Sequence, residues 1–287
     1  MSTLGLLIRP TLFTVGVCGT CFCAAAIVQN ENHRSHYSSV RRRPPTIIIQ
    51  DWVQRQQQKT SGLHGQYLEL RRRVNAWTNQ LSTGHKIAFG AIFANLVVLG
   101  AWQIRGFRPV MFKYFLSQVS TTKIALSPMI LSFFSHSSPL HFAFNMYALY
   151  SFSNIATALL GPEQLIGLYI SAGTVSSLAS LTHRLVTKRS TPSLGASGAL
   201  LGVIAYVCIA RPDSSLLLFF IPIAAGNAIK GLILLDTVGL AARWSFLDHA
   251  AHLGGSLFGV WYATYGEKLF YKYKGTVVEK WIKYKGE

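Results

Sequence analysis

The chain has 287 residues, half of them hydrophobic and only 13% charged, with a mean hydropathy of +0.32. That balance excludes an ordinary water-soluble domain and implies a membrane protein. The formal charge of +17 does not point to nucleic acid, because the basic residues flank apolar stretches and no zinc-finger or RNA-binding spacing accompanies them.

Apolar stretches of spanning or near-spanning length recur at 8–28, 87–104, 139–160, 164–182, 196–210, 222–241 and 248–265. They predict an all-α polytopic membrane protein. Several are shorter than the roughly 20 residues a bilayer core needs, as expected of tilted helices around a protected interior. The first, within an accessory helix at 1–28, holds Cys18, Cys21 and Cys23, and the fourth cysteine is Cys208. This set implies no disulfide framework. With no second ligand pair in the chain, Cys18 and Cys21 read as small packing residues, and no metal is expected.

A basic polar linker, 29–86, separates that helix from a six-span core over 87–265; it contains Arg41–Arg43, Pro44, Pro45, glutamines at 56–58 and Arg71–Arg73. Within it, Leu68, Leu70, Val74 and Trp77 have the spacing of an amphipathic helix over Tyr67–Leu81, on the membrane surface or against the core, and a loosely ordered linker fits them equally. The 105–138 segment mixes Arg105, Arg108 and Lys113 with Phe107, Phe112, Tyr114 and Phe115, which suits a loop lying in the membrane interface. Before the sixth span, the run Leu216–Ile221 ended by Pro222 reads as an interfacial dip or an extra helical turn. Residues 266–287 read as a basic tail. Arg9 is the only basic residue ahead of the first polar stretch, so an ordered import presequence is not visible here.

Polar residues inside spans are costly, so those that converge on one place carry information. Consecutive spans alternate in direction, and the third, fifth and seventh therefore run the same way. His141 and Asn145 lie near the start of the third, Ser197 near the start of the fifth and His252 near the start of the seventh, all at similar shallow depth. Gly195, Gly198 and Gly202 surround the serine, and Gly255 and Gly259 follow the histidine. Such small-residue stripes let two helices approach closely enough for an imidazole to activate a hydroxyl. His141 and Asn145, four apart, share a helix face and can offer donors to an oxyanion, together with the Ser197 amide. Any one of these motifs alone is explained by packing or inter-helix hydrogen bonding. Their combination meets the requirements of an acyl-transfer site.

His141-Phe-Ala-Phe-Asn145-Met146, Gly195-Ala-Ser197-Gly198-Ala199 and His252-Leu-Gly-Gly255 with Gly259 resemble the three signature segments of rhomboid proteases. Phe246-Leu-Asp248-His-Ala-Ala-His252 and Ala224-Ala-Gly-Asn227-Ala-Ile-Lys230 are similar to the mitochondrial presenilin-associated rhomboid-like subfamily. The resemblance implies a six-helix rhomboid core with one extra N-terminal transmembrane helix, a 1+6 arrangement in the mitochondrial inner membrane. It further implies an intramembrane serine endopeptidase acting on single-pass membrane proteins within the lipid bilayer, without cofactor or nucleic acid. Ser197 is then the nucleophile, His252 the base and later acid, and Asn145 and His141 oxyanion donors. No acidic third member is expected. Asp248, one turn before His252, reads instead as part of a Ser245-x-x-Asp248 capping box, and His249 as a structural histidine. Leu201 stands where many bacterial rhomboids carry an aromatic residue that packs on the histidine, so other neighbours must orient His252.

Two other functions compete. A catalytically inactive rhomboid-like protein is opposed by the intact Ser197 and His252. A transporter would use Lys230 and Asp236, but six residues place them about 240° apart around a helix, and no inverted repeat is present.

Overall fold

The computed structural model describes residues 3–42, 63–120, 122–136, 138–218 and 221–286. The Pro44, Pro45 pair and the glutamines at 56–58 lie outside the described residues. Helix α1, Thr3–Arg42, continues well past the apolar stretch that starts it. Next come α2, Leu63–Gln80, and α3, Thr83–Gln103, the latter capped by Ser82 Oγ accepting from the His85 amide at 3.1 Å. Most of α2 is exposed, including Leu70, Val74 and Trp77.

Short helices α4, Arg108–Tyr114, and α5, Pro128–Leu131, occupy the 105–138 segment. Trp102 docks this segment on α3, stacking edge-on with Phe112 and donating to Ser135 Oγ at 3.2 Å. Helices α6, Pro139–Leu160, and α7, Pro162–Thr187, meet at Gly161, whose φ of +81° and following proline end one helix and start the next.

Helix α8 spans Ser197–Ala210 and α9 spans Ala225–Ala241. Between them, the Leu216–Ile221 run is not a helical turn: strands β1, Ser215–Leu218, and β2, Ile221–Ala224, pair antiparallel. Pro222 pairs with Leu217 in its register, a position where a missing amide is tolerable on a two-stranded edge. Helix α10, His249–Trp261, passes through a π-helical turn, Tyr262–Gly266, into α11, Glu267–Lys285. Residues 266–287 are thus mostly helix, and α11 lies against α1: Lys274 donates to Gln29 at 2.7 Å, and Trp281 and Lys285 both donate to Glu31 at 3.0 Å.

Helix α7 occupies the middle. In its most apolar window 67% of residues are buried, against 17% for α1 and α3, because α1, α8 and α10 all pack on it. The core around it includes Leu168, Leu200, Val203, Tyr206 and Tyr262, held by van der Waals packing between helices.

Among the described residues, three helices are long and apolar enough to cross a membrane: the first 33 residues of α1, all of α3 and all of α7. The other predicted spans fall short for two reasons. Helix α6 has 22 residues but is diluted by Asn145, Ser151, Ser153, Asn154 and Thr157, while α8, α9 and α10 have 14, 17 and 13 residues.

Candidate active site

Each site residue stands at the first turns of a helix because a local feature starts that helix there. Ser138 Oγ accepts the His141 amide at 3.2 Å and Pro139 occupies the first position, so α6 begins with His141 and Asn145 on adjacent turns of one face. Asp248 caps α10 by accepting the Ala251 amide at 3.0 Å. The cap is Asp248 itself, not Ser245, and its other oxygen receives the Ser180 hydroxyl.

Ser197 opens α8 after a clamped loop. Ser117 and Ser193 exchange backbone hydrogen bonds at 3.0 and 2.9 Å, and the Gly195 amide donates to the Ser132 carbonyl at 3.0 Å. Buried Arg184 binds this loop from behind, donating to the Ser117 carbonyl at 2.8 Å, the Ser117 hydroxyl at 2.9 Å and the Thr191 carbonyl at 3.2 Å. Gly195 has φ +131°, and a Cβ there would lie 2.7 Å from the His141 ring. Both conditions require glycine.

Ser197 Oγ lies 2.8 Å from His252 Nε2, within the range for general-base activation. The two side chains face a cavity of about 820 Å³ whose walls include His141, Phe144, His183 and Trp244. The helices carrying them touch through backbone. A Cβ on Gly255 would overlap the Gly198 carbonyl, one on Gly259 would overlap the Gly202 carbonyl, and one on Gly202 would lie 3.1 Å from the Gly255 carbonyl.

Helix α7 supports this seam from below. Ala172 lies against Gly202, Ser176 against Gly198, Ser180 binds Asp248 and Arg184 binds the loop before Ser197. These four residues are spaced by four and form one ridge.

The structure thus brings Ser197, His252 and His141 to one cavity. Asn145 is buried beside it, and its Nδ2 donates to the His141 carbonyl at 2.8 Å, leaving its second N–H for another acceptor. The first amides of α8, those of Ser197 and Gly198, have no acceptor within their own helix. His136 lies just outside α6 with its ring edge-on to His141 and Phe142. Burial, with the neighbouring His141 adding to it, lowers its pKa from 6.5 to about 4.

One residue near the dyad was not legible as a partner. Asp236 of α9 is 2% exposed, and its Oδ1 lies 2.7 Å from His249 Nδ1 and 3.3 Å from His252 Nδ1. A carboxylate inside an apolar stretch is a signal in itself, but nothing in the sequence turns that face of α9 toward α10. Lys230, its supposed counterpart in a transporter, is exposed.

Comparison with known proteins establishes the family. A family model for the rhomboid domain matches residues 123–268. The human presenilin-associated rhomboid-like protein, mitochondrial, is 41% identical over 278 residues, covering 96% of this chain and 70% of its own length. Presenilin-associated rhomboid-like protein A, mitochondrial, from Danio rerio is 38% identical over 290 residues, covering 96% and 74%. Rhomboid protein 1, mitochondrial, from Saccharomyces cerevisiae is 36% identical over 188 residues, covering 63% and 54%. The chain therefore belongs to the rhomboid family and resembles its presenilin-associated members over nearly its whole length.

Proposed function

We propose that this protein is an intramembrane serine endopeptidase that cleaves transmembrane segments of single-pass membrane proteins. The observation that carries this reading is the 2.8 Å contact between Ser197 Oγ and His252 Nε2 at the head of a glycine-lined helix pair. Ser197 gives its proton to Nε2 as Oγ attacks the scissile carbonyl. The oxyanion is received by the Ser197 amide, Asn145 and His141. His252 then passes the proton to the leaving amine, and water, activated by the same nitrogen, releases the acyl group.

In this reading α1 is the accessory span and α3, α6, α7, α8, α9 and α10 form the six-helix core. Helix α8 has 14 residues, a rise of about 21 Å against a hydrocarbon core of about 30 Å. In this reading the short helix starts below the membrane surface, with Ser197 at the depth of a substrate helix. The matched relatives carry mitochondrial names, and we place this chain with them in the mitochondrial inner membrane.

The test is cleavage of a reporter membrane helix by purified protein in proteoliposomes. Ser197→Ala and His252→Ala should each abolish cleavage while leaving the thermal midpoint near wild type. Cleavage at the wild-type rate in either variant overturns the assignment.

A further inference from the structure

A two-residue dyad leaves one question open, namely what fixes the His252 ring. With Leu201 one turn after the serine, that position of α8 offers no aromatic ring to do so. We propose that Asp236, held in turn by His249, is the positioning residue that orients His252 and supports its charge during catalysis. This inference rests on the proteolytic reading above.

For Nε2 to accept the Ser197 proton, the ring hydrogen must sit on Nδ1. The carboxylate oxygen of Asp236 lies 3.3 Å from Nδ1. A negative acceptor there favours that tautomer over the reverse, and stabilises the imidazolium that forms when the serine is deprotonated. The separation exceeds the 2.7–3.2 Å of a strong N–H···O bond, though such contacts tighten when substrate binds.

His249 keeps the carboxylate aimed. Its Nδ1 lies 2.7 Å from the same oxygen, giving a buried acid a partner that burial requires. The His249 ring is itself boxed in. Gly239, one turn beyond Asp236 on α9, leaves room for it, since a Cβ there would lie 2.6 Å from the ring, and Trp244 and Phe246 stand at centroid distances of 5.9 and 5.4 Å. The Asp236 carboxylate, His249 and His252 thus form one chain of contacts from α9 to the nucleophile on α8. A purely structural Asp236 would need only His249. Its Oδ1 instead lies between the two imidazoles.

Asp236→Asn keeps an acceptor for one histidine but removes the charge. With the reporter in proteoliposomes, we expect kcat to fall by roughly ten- to a hundredfold with KM unchanged. This is less than the roughly 10⁴-fold of a full serine-protease triad, because the acceptor is shared and more distant. Asp236→Glu should recover part of that loss. In ¹⁵N-histidine NMR of the wild-type protein, His252 should carry its proton on Nδ1, a measurement that does not depend on any variant folding. A kcat for folded Asp236→Asn within about twofold of wild type, activity lost only in step with the thermal midpoint and not regained by Asp236→Glu, or His252 protonated on Nε2 would each overturn the proposal. Ser197→Ala run alongside separates the two failures. If it still cleaves, the proteolytic reading falls, whereas an inactive Ser197→Ala beside a fully active Asp236→Asn removes Asp236 alone.

Discussion

Gly255 and Gly198 meet backbone to backbone, so closely that no side-chain carbon fits between the α10 residue and the α8 carbonyl. The distance between His252 and Ser197 is thereby set by two residues that do no chemistry. Gly202→Val and Gly259→Val should both insert and express yet cleave poorly, since about 1 Å of misplacement costs roughly a hundredfold in rate and overpacking costs about 1–3 kcal/mol. Weak labelling by a fluorophosphonate probe would trace the loss to the activated serine. Gly231 on α9 has open space around its Cα, and Gly231→Ala should leave activity and stability at or slightly above wild type. Full activity and stability in both valine variants would mean that the dyad is assembled by some other packing.

Asn145→Ala should lower kcat with little change in KM. Loss of a single oxyanion donor costs about a hundred- to a thousandfold, and in the proposed mechanism the Ser197 amide and His141 soften that, so a fall toward the lower end is expected. An unchanged kcat removes Asn145 from the site.

Arg184→Lys retains the charge and loses the geometry, because an ammonium cannot reproduce contacts at 2.8, 2.9 and 3.2 Å spread over two guanidinium nitrogens. Each hydrogen bond from a charged donor is worth about 1.5–3 kcal/mol. The variant should melt earlier in detergent, and limited proteolysis should cut first in the 188–196 loop. Cleavage first at another site would show that Arg184 does not hold this loop.

Stability should also depend on pH through His136. Its folded pKa of about 4 lies below the ordinary 6.5, so between those values the unfolded chain binds a proton that the folded chain does not. Stability is therefore fully present above about pH 6.5 and declines as the pH falls toward 4. The thermal midpoint should drop between pH 7 and pH 5, and His136→Phe should flatten that drop. An equal drop in both proteins assigns the effect to other groups.

How much of this was legible in the sequence follows from what apolar patterning encodes. Each of the seven apolar stretches contains a helix, because burial of a stretch needs only its own residues. Helices α1 and α11 extend much further than the hydropathy did, since Glu31 and Lys285 are polar outside and helical for reasons of mutual contact. The β-strand pair was missed because Leu216–Ile221 is apolar without alternation, and such a run does not distinguish strand from helix. Ser197, His252 and His141 could be joined by topology alone. Asp236 could not: its nearness to His252 depends on how α9 rotates about its axis, which is settled by Gly239 receiving the His249 ring.

Helix α7 contributes no atom to the dyad, yet its contacts at Ala172, Ser176, Ser180 and Arg184 reach every part of it. Those contacts climb about 18 Å of helix at 1.5 Å per residue, from the depth of the glycine seam to the loop that precedes the serine. The helix therefore serves as a ruler, along its own axis, for the contacts around Ser197 and His252. One residue inserted near position 178 would leave Ala172 and Ser176 in register and swing Ser180 and Arg184 by about 100° away from their partners. Substitutions elsewhere on α7 can be absorbed by neighbouring side chains, but its length cannot change without uncoupling the Ser197 helix from the loop that precedes it.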